Sequence, residues 1–174
     1  IKIQLLKNML GASTADKVVS SVQHLEYAFA NAINTVANQK QKKIAVILGN
    51  GELHQLEIAD FLKTVKENYF IAPFTLDSVA TNAVKTAKEL KQYDLAIIAK
   101  PQEKFTDQEK QVLDQFIING GKTLWFLDHA HIEMEDLKQS GSTLAFNNEL
   151  ELNDLFFKYG IRFLPDLIKD EQCV

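Results

Sequence analysis

The first strongly patterned part of the chain is a long segment with apolar residues at helical spacing. Between residues 14 and 40 they recur in steps of three and four, which predicts an amphipathic helix. Its stripe consists of Val18, Val22, Leu25, Phe29, Ile33 and Val36. Ser13 or Thr14 can cap its start. We expect a helical arm over residues 1–41 whose stripe packs against the chain's own sheet, in preference to forming an interface.

From residue 42 onward, short apolar runs alternate with helical patterns. The runs at 44–48, 95–99 and 123–127 are continuous, as in parallel strands covered on both faces. Pro73 interrupts a weaker run at 70–75, which predicts an edge strand. The pattern also predicts a fifth strand at 161–164.

Helical patterns separate these runs. They cover residues 55–68, 78–90, 107–119 and 153–159. Thr106 and Glu109 form a capping box at the start of the third, which ends at Gly120 and Gly121. Lys100 precedes Pro101, so we expect it to be extended. The polar stretch that follows Asp128 predicts a short helix and a loop.

The alternation of strands and helices indicates parallel βαβ units with right-handed crossovers. The predicted fold class is therefore α/β. It is a three-layer, doubly wound, mainly parallel sheet of the flavodoxin-like or class I glutamine amidotransferase-like kind. This domain covers residues 42–174, after the long N-terminal helix.

Composition narrows the classes of partner. The 174 residues are 46% hydrophobic, enough for one core, and 19 Lys+Arg against 23 Asp+Glu give a net charge of −4. Without a basic field, nucleic acid is not an expected partner. One cysteine, Cys173, allows no internal disulfide, and no apolar run is long enough to span a membrane. The chain begins at Ile1 without Met, so we expect a piece of a longer protein.

The run KIAVILGNGELHQL resembles the start of a nucleotide-binding site, because a glycine pair follows an apolar strand. A Walker loop needs a lysine after its glycines, but Glu52 follows Gly51. The dinucleotide fingerprint needs a third glycine where this chain has His54. Glu52 would also place a carboxylate where a phosphate should bind. We therefore interpret Gly49 and its neighbours as a tight turn.

The segment after the fourth strand contains two histidines, His129 and His131, between Asp128 and Glu133. These side chains can ligate zinc, but no cysteine or suitably spaced third ligand accompanies them. We expect solvated histidines, and no metal or cofactor. If a small ligand binds, it binds at the carboxyl edge of the sheet. The candidate residues are Gly49, Asn50, Gly51, Glu52, His54, Asp128 and His129.

Catalytic motifs are incomplete. No GxSxG elbow occurs, and Cys173 lies beyond the last predicted strand, so neither serine nor cysteine has the position of a nucleophile. The acidic clusters lie in polar surroundings, where solvation is their ordinary role. We predict no catalytic residues and no enzyme activity.

Several segments together resemble one family. They are LLKNMLG, VQHLEYAFANAI, KKIAVILGNGEL, FTDQEKQVLDQFIINGGKTLWFLD and STLAFNNELELNDLFFKYGIRFLPDLIKDEQC. In combination they are similar to GldG, the gliding-associated auxiliary component of a bacterial ABC transporter. The likeness extends over nearly the whole chain. The segment DHAHIEME is less typical, so a role for His129 or His131 would be peculiar to this protein.

The resemblance implies a membrane-anchored protein of Bacteroidetes linked to gliding motility and secretion. Its soluble region would lie on the extracytoplasmic, periplasmic side of the inner membrane. Its partners would be the permease and ATPase subunits, with a homo-oligomer as a further option, and its membrane contact would come from segments outside this chain. The family's fold is similar to class I glutamine amidotransferase-like domains and to a domain of intraflagellar-transport proteins. It carries over no catalytic residues.

Two functions remain open from the sequence. The first is a non-catalytic interaction or substrate-capture domain of an ABC transporter auxiliary subunit. The alternative is a small-ligand- or metal-binding α/β enzyme of amidotransferase-like or flavodoxin-like type. In the alternative, the loops 49–54 and 128–131 form one pocket, and His54 and His129 converge.

Overall fold

The structure is a computed structural model that describes residues 3–37, 42–132 and 138–164. Helices and strands alternate through most of it. In chain order they are α1 (Thr14–Ala37), β1 (Lys43–Leu48), α2 (Ala59–Asn68), β2 (Phe70–Thr75), α3 (Val79–Leu90), β3 (Leu95–Ala99), α4 (Asp107–Ile118), β4 (Lys122–Phe126), β5 (Ala130–Ile132), β6 (Ala145–Asn147) and α5 (Asn153–Lys158). The alternation gives the predicted α/β fold.

The main sheet is parallel, with the strand order β2-β1-β3-β4. Ala45 pairs with Ala72 on one side and with Ala96 on the other, so β1 lies between β2 and β3. β2 is an edge strand of this sheet, as Pro73 predicts. β1 neighbours both β2 and β3, so the connection from β1 to β2 and the connection from β2 to β3 run in opposite directions across the sheet. The loops after β1 and β3 therefore meet.

Helices cover both faces of the sheet, which makes three layers. On one face, Ile47 of β1 and Ile98 of β3 pack with Leu113 of α4, and all three are fully buried. On the other face, Phe61 of α2 makes an edge-to-face contact with Phe126 of β4 at 6.2 Å. Burial on both faces explains why β1 and β3 are continuously apolar.

The capping residues predicted at the helix ends interact as expected where their partners are close in the sequence. Thr106 accepts a hydrogen bond from the Glu109 amide at 3.3 Å, and the Glu109 carboxylate accepts one from the Thr106 amide at 2.7 Å. This capping box starts α4, and Gly120 follows its end with φ +93. Ser13 accepts from the Asp16 amide at 3.2 Å at the start of α1. These predictions are confirmed.

An ion pair joins the buried Lys110 of α4 to the exposed Asp154 of α5. Lys110 is 9% exposed, and its ammonium donates to Asp154 at 2.9 Å. Burial alone would lower the pKa of Lys110, but its hydrogen bonds to Asp154 and Asp107 raise it. The same bond from Lys110 lowers the pKa of Asp154. The ion pair therefore fixes α5 against α4.

Two boundary predictions are wrong. The helix predicted from residue 55 begins at Ala59, because His54 and Glu57 form a hydrogen-bonded turn before it. Lys100 is not extended but has φ +51, although it precedes Pro101. There the Lys100 amide donates to Phe126 at 2.8 Å, and its ammonium pairs with Asp128 at 3.0 Å. Contacts to the end of β4 therefore override the local preference.

The region after β4 also differs from the prediction. Residues 161–164 form no strand, and β5 and β6 instead form a small antiparallel sheet in which Ala130 pairs with Asn147. The apolar side chain that favoured a strand at 161–164 packs elsewhere, since Phe163 contacts Phe156 at 4.8 Å between ring centroids.

The expectation for α1 is wrong as well. Its apolar stripe does not pack against the sheet: Phe29 is 47% exposed and Val36 is 70% exposed. Ser21 is the one residue of α1 that is buried. The helix forms as predicted, but its apolar face stays uncovered.

Candidate functional site

The carboxyl edge of the sheet contains two crevices, and the first lies where the loops after β1 and β3 meet. The Asn50 carbonyl accepts hydrogen bonds from the amides of Gln102 at 2.9 Å and Glu103 at 2.8 Å. The Leu53 amide donates to the Ala99 carbonyl at 2.9 Å. We call this place the β1–β3 crevice. In open α/β sheets it is the usual ligand position, but here the chain's own backbone closes it.

Two glycines allow this closure. A Cβ on Gly49 would lie 2.8 Å from Asp77 Oδ1, and one on Gly51 would lie 3.0 Å from the Gln102 Cβ. Their φ angles of +124 and +70 are also unfavourable for other residues. The loop needs glycine at both positions because neighbouring protein atoms approach it closely. This fits the predicted tight turn.

Glu52 fills the place that a bound anion would take. Its Oε2 accepts a hydrogen bond from the Asn50 amide at 2.8 Å. Burial raises the pKa of Glu52, backbone amides that donate to it lower the pKa, and the charge of Glu109 adds to the rise. A carboxyl group that already occupies the loop's amide leaves no cradle for phosphate there.

Asn50 lies beneath this carboxyl group and is 4% exposed. Its side-chain amide is 3.5 Å from the Lys104 carbonyl and 3.5 Å from the Glu109 carboxylate. In the described part of the chain, Asn50 Oδ1 and Glu52 Oε1 are buried without a hydrogen-bond partner. The missing partner of Glu52 Oε1 agrees with the raised pKa, because a buried oxygen without a hydrogen bond disfavours the charged carboxylate.

His54 takes part in a different local structure. Its Nδ1 accepts from the Leu56 amide at 3.3 Å, while its own amide donates to the Glu57 carboxylate at 2.7 Å. The side chain is exposed and stabilises the turn before α2. Its ring nitrogen thus has a structural role in this turn.

The second crevice is open. It is a cavity of about 280 Å³ between the segment after β4 and the residues that lead into α5. We call it the β4 cavity. It is lined by Leu127, Asp128, His129, Asn147, Asn148, Glu149, Leu150, Glu151, Leu152, Asn153 and Phe163. Residues 49–54 are not among them, so the two candidate loops of the sequence do not share this cavity.

Asn148 holds the two walls of the β4 cavity together. Its side-chain amide donates to the carbonyls of Pro101 and Asp128, each at 3.3 Å. Its backbone amide donates to the His129 carbonyl at 2.8 Å. His129 also stacks on Phe163 with 6.2 Å between ring centroids. The cavity therefore has one wall fixed by hydrogen bonds and an aromatic side.

The rim of the β4 cavity is acidic and partly neutralised. Lys104 pairs with Glu149 at 3.3 Å and with Glu151 at 3.7 Å, and Lys100 pairs with Asp128. Carboxylates, amides and one imidazole can form hydrogen bonds to a polar ligand that is neutral or cationic. In the residues that the structure describes, no group of three or more His, Cys, Asp and Glu side chains is placed to hold a metal.

Only some of the residues that line the β4 cavity are among the site residues predicted from the sequence. Asp128 and His129 line the β4 cavity, whereas Gly49, Asn50, Gly51 and Glu52 lie in the closed crevice. His131 belongs to β5, and Glu133 lies outside the described residues. Residues 147–153 and Phe163 also line the β4 cavity but were not among the predicted site residues. The dense amides and acids of NNELELN were the available signal, but they were interpreted as solvated.

A known protein family matches the part of the chain that contains these residues. The family described as "ABC-type uncharacterized transport system" matches residues 41–174, which contain the sheet and both crevices. The chain belongs to this family. We refer to it as the ABC transporter auxiliary family. Membership gives the domain a transport-associated accessory role.

Relatives of this ABC transporter auxiliary domain include longer proteins. An uncharacterized protein of Borreliella burgdorferi is 26% identical over 157 residues, which cover 90% of this chain and 29% of that protein. The chain therefore spans less than a third of the length of this relative. The mmIFT52 N-terminal domain is 20% identical, with a TM-score of 0.47 over 67% of this chain and 43% of that one. No helix in the described residues is long and apolar enough to cross a membrane.

Proposed function

We propose that this chain is the substrate-capture domain of an ABC transporter auxiliary subunit, and that it carries out no chemistry itself. The observation that carries the proposal is the β4 cavity, which stays open at the carboxyl edge while the β1–β3 crevice is closed. Family membership supports the transporter context. The polar lining suits ligands bound by hydrogen bonds, and the acidic rim disfavours phosphates.

The cellular setting of the proposal rests on the resemblance to GldG. The domain would face the extracytoplasmic, periplasmic side of the inner membrane and serve gliding motility or secretion. It would act with permease and ATPase subunits, and segments outside this chain would anchor it. The captured substrate would pass from the β4 cavity to the permease, so the cavity rim would lie at the contact between the subunits.

Site-specific photocrosslinking in the intact transporter tests the proposal. A photoreactive residue at Glu149, on the rim, should crosslink to the permease, to the substrate or to both. The same residue at Glu67, which is exposed on α2, should give neither product. Crosslinking to the permease from Glu67 alone would contradict the assignment of the cavity.

A thermal-shift titration tests ligand binding directly. A ligand that binds only the folded state raises the unfolding midpoint with concentration. Zinc, manganese, nucleotides, phosphate and simple sugars form a first panel. A saturable shift that His129→Ala abolishes and Gly51→Ala preserves would support the β4 cavity.

The alternative is a small-ligand- or metal-binding α/β enzyme of the amidotransferase-like or flavodoxin-like type. Because the loops 49–54 and 128–131 do not share the β4 cavity, its ligand would bind at residues 49–54 alone. The half-buried Glu52, with its raised pKa, is the observation that favours it. A shift that Gly51→Ala abolishes and His129→Ala preserves would support this alternative and contradict capture at the β4 cavity.

A further inference from the structure

The longest helix of the domain exposes its apolar face. Val18, Val22, Phe29, Ile33 and Val36 are between 47% and 70% exposed, and Val19 beside them is 57% exposed. Helices of soluble domains normally bury such a stripe. Here the stripe is exposed, although the helix has 24 residues and an amphipathic pattern.

A different face of α1 contacts the rest of the chain. The Ser21 hydroxyl accepts from the Lys7 amide at 2.8 Å, and the Thr35 hydroxyl, which donates to the Asn31 carbonyl at 2.7 Å, lies 3.5 Å from the Asn68 side chain. At about 100° per residue, this polar face lies roughly 110° around the helix from the apolar stripe. The helix can therefore remain attached to its own domain while the stripe binds a partner.

The stripe has the seven-residue spacing of a helix that pairs with another helix. The a positions are Ala15, Val22, Phe29 and Val36, and the d positions are Val18, Leu25 and Ala32. Val19 and Ile33 extend the apolar surface at e positions. A heptad seam is the shape that another α-helix covers, whereas a sheet requires a broader face.

We propose that α1 pairs with α1 of a second copy of this chain, in antiparallel orientation. Antiparallel pairing about the middle of the seam places Val18 opposite Val36, Val22 opposite Ala32 and Leu25 opposite Phe29. Each layer then combines different side chains of the two helices. A parallel pair would put two Phe29 rings in one layer and two Ala32 methyl groups in the next, which packs unevenly.

Antiparallel pairing also places Ile33 near Val19 of the second copy, so the two apolar side chains at e positions are both covered. The area agrees with a dimer of modest strength. Covering the exposed apolar side chains would remove about 500 Å² per copy from water, and roughly 1,000 Å² in total approaches the smallest stable interfaces. We therefore expect a dimer whose population depends on concentration.

Sedimentation equilibrium on the 174-residue chain tests the pairing. The wild-type chain should change from monomer to dimer as its concentration rises, with a midpoint no higher than the order of 100 μM. Phe29→Glu places a charge in the central layer and should raise the dimer dissociation constant by about tenfold or more. Gln23→Glu adds the same charge to the same helix away from the seam, and it should leave the constant unchanged.

Disulfide trapping tests the orientation in a Cys173→Ser background. A mixture of Leu25→Cys and Phe29→Cys chains should form a crosslinked pair, whereas neither variant alone should do so. Efficient crosslinking of Phe29→Cys with itself would show a parallel pair and overturn the proposed geometry. A wild-type chain that stays monomeric, or a Phe29→Glu chain that dimerises like the wild type, would overturn the proposal itself.

Discussion

The two crevices at the carboxyl edge differ in what occupies them. The β1–β3 crevice is filled by the chain, since Asn50 binds Gln102 and Glu103 through its backbone and Glu52 covers the loop amide. The β4 cavity is bordered by exposed ion pairs and encloses about 280 Å³ of open space. Changes in the first crevice should therefore alter stability, while changes in the second should alter binding and leave stability nearly unchanged.

The largest expected effect comes from Asn50→Asp. The new carboxylate would be buried and close to the Glu109 carboxylate, which lies 3.5 Å from the Asn50 side-chain amide, so we expect a loss of about 3–5 kcal/mol of unfolding free energy at neutral pH. Urea denaturation measures this loss. Burial would raise the pKa of the introduced acid, so most of the loss should disappear below about pH 4, where it is protonated. A loss that does not change with pH would instead indicate a packing defect.

The second prediction concerns the contact between the two loops. Gly51→Ala combines an unfavourable φ with a Cβ only 3.0 Å from the Gln102 Cβ, so we expect a loss of about 1–3 kcal/mol of unfolding free energy. Gly120→Ala is the matched control, because Gly120 has φ +93 and no atom within 4 Å of the added Cβ. The difference between the two variants measures how tightly the crevice is closed. Equal losses would mean that backbone strain alone explains the effect.

The difference between the crevices also shows which features could be predicted from sequence. The capping box at Thr106 and the strand at Leu95–Ala99 depend on neighbouring residues, and both form as predicted. The half-buried position of Glu52 depends on the fold, which brings the loop after β3 against its loop and Glu109 of α4 near its carboxyl group. No local pattern contains that information, and a lone Glu after glycine is usually solvated.

The same limit explains the errors outside the crevices. The run at 161–164 has strand-like composition, but Phe163 packs on Phe156 and His129, so its apolar side chain is satisfied without a strand partner. The α1 stripe has the correct period for a helix, but period cannot specify which surface covers the stripe. Sequence therefore predicted the elements well and their tertiary partners poorly.

The third prediction is that Glu52→Gln stabilises the domain. The amide carries no charge to desolvate near Glu109, so the unfolding free energy at neutral pH should rise by roughly 1 kcal/mol. The raised pKa of Glu52 means that its favourable contribution is complete below the unfolded pKa and is lost as pH rises through the folded pKa. The difference in unfolding free energy between Glu52→Gln and the wild type should therefore grow as the pH rises and disappear in acid. Glu67→Gln, on the exposed face of α2, should show neither effect.

The smallest expected effect lies in the open crevice. Asp128→Asn removes an ion pair with Lys100 whose side chains are 50% and 39% exposed, so we expect a change in unfolding free energy below about 0.5 kcal/mol. Solvent and salt screen such a pair, whereas they screen the buried Asn50 and the half-buried Glu52 less. The variant should nevertheless weaken any ligand-dependent thermal shift, since Asp128 lines the β4 cavity. A large loss of stability without a change in binding would reverse the assignment and make the β4 cavity structural. A small loss with weakened binding is the behaviour of a rim residue that contacts ligand.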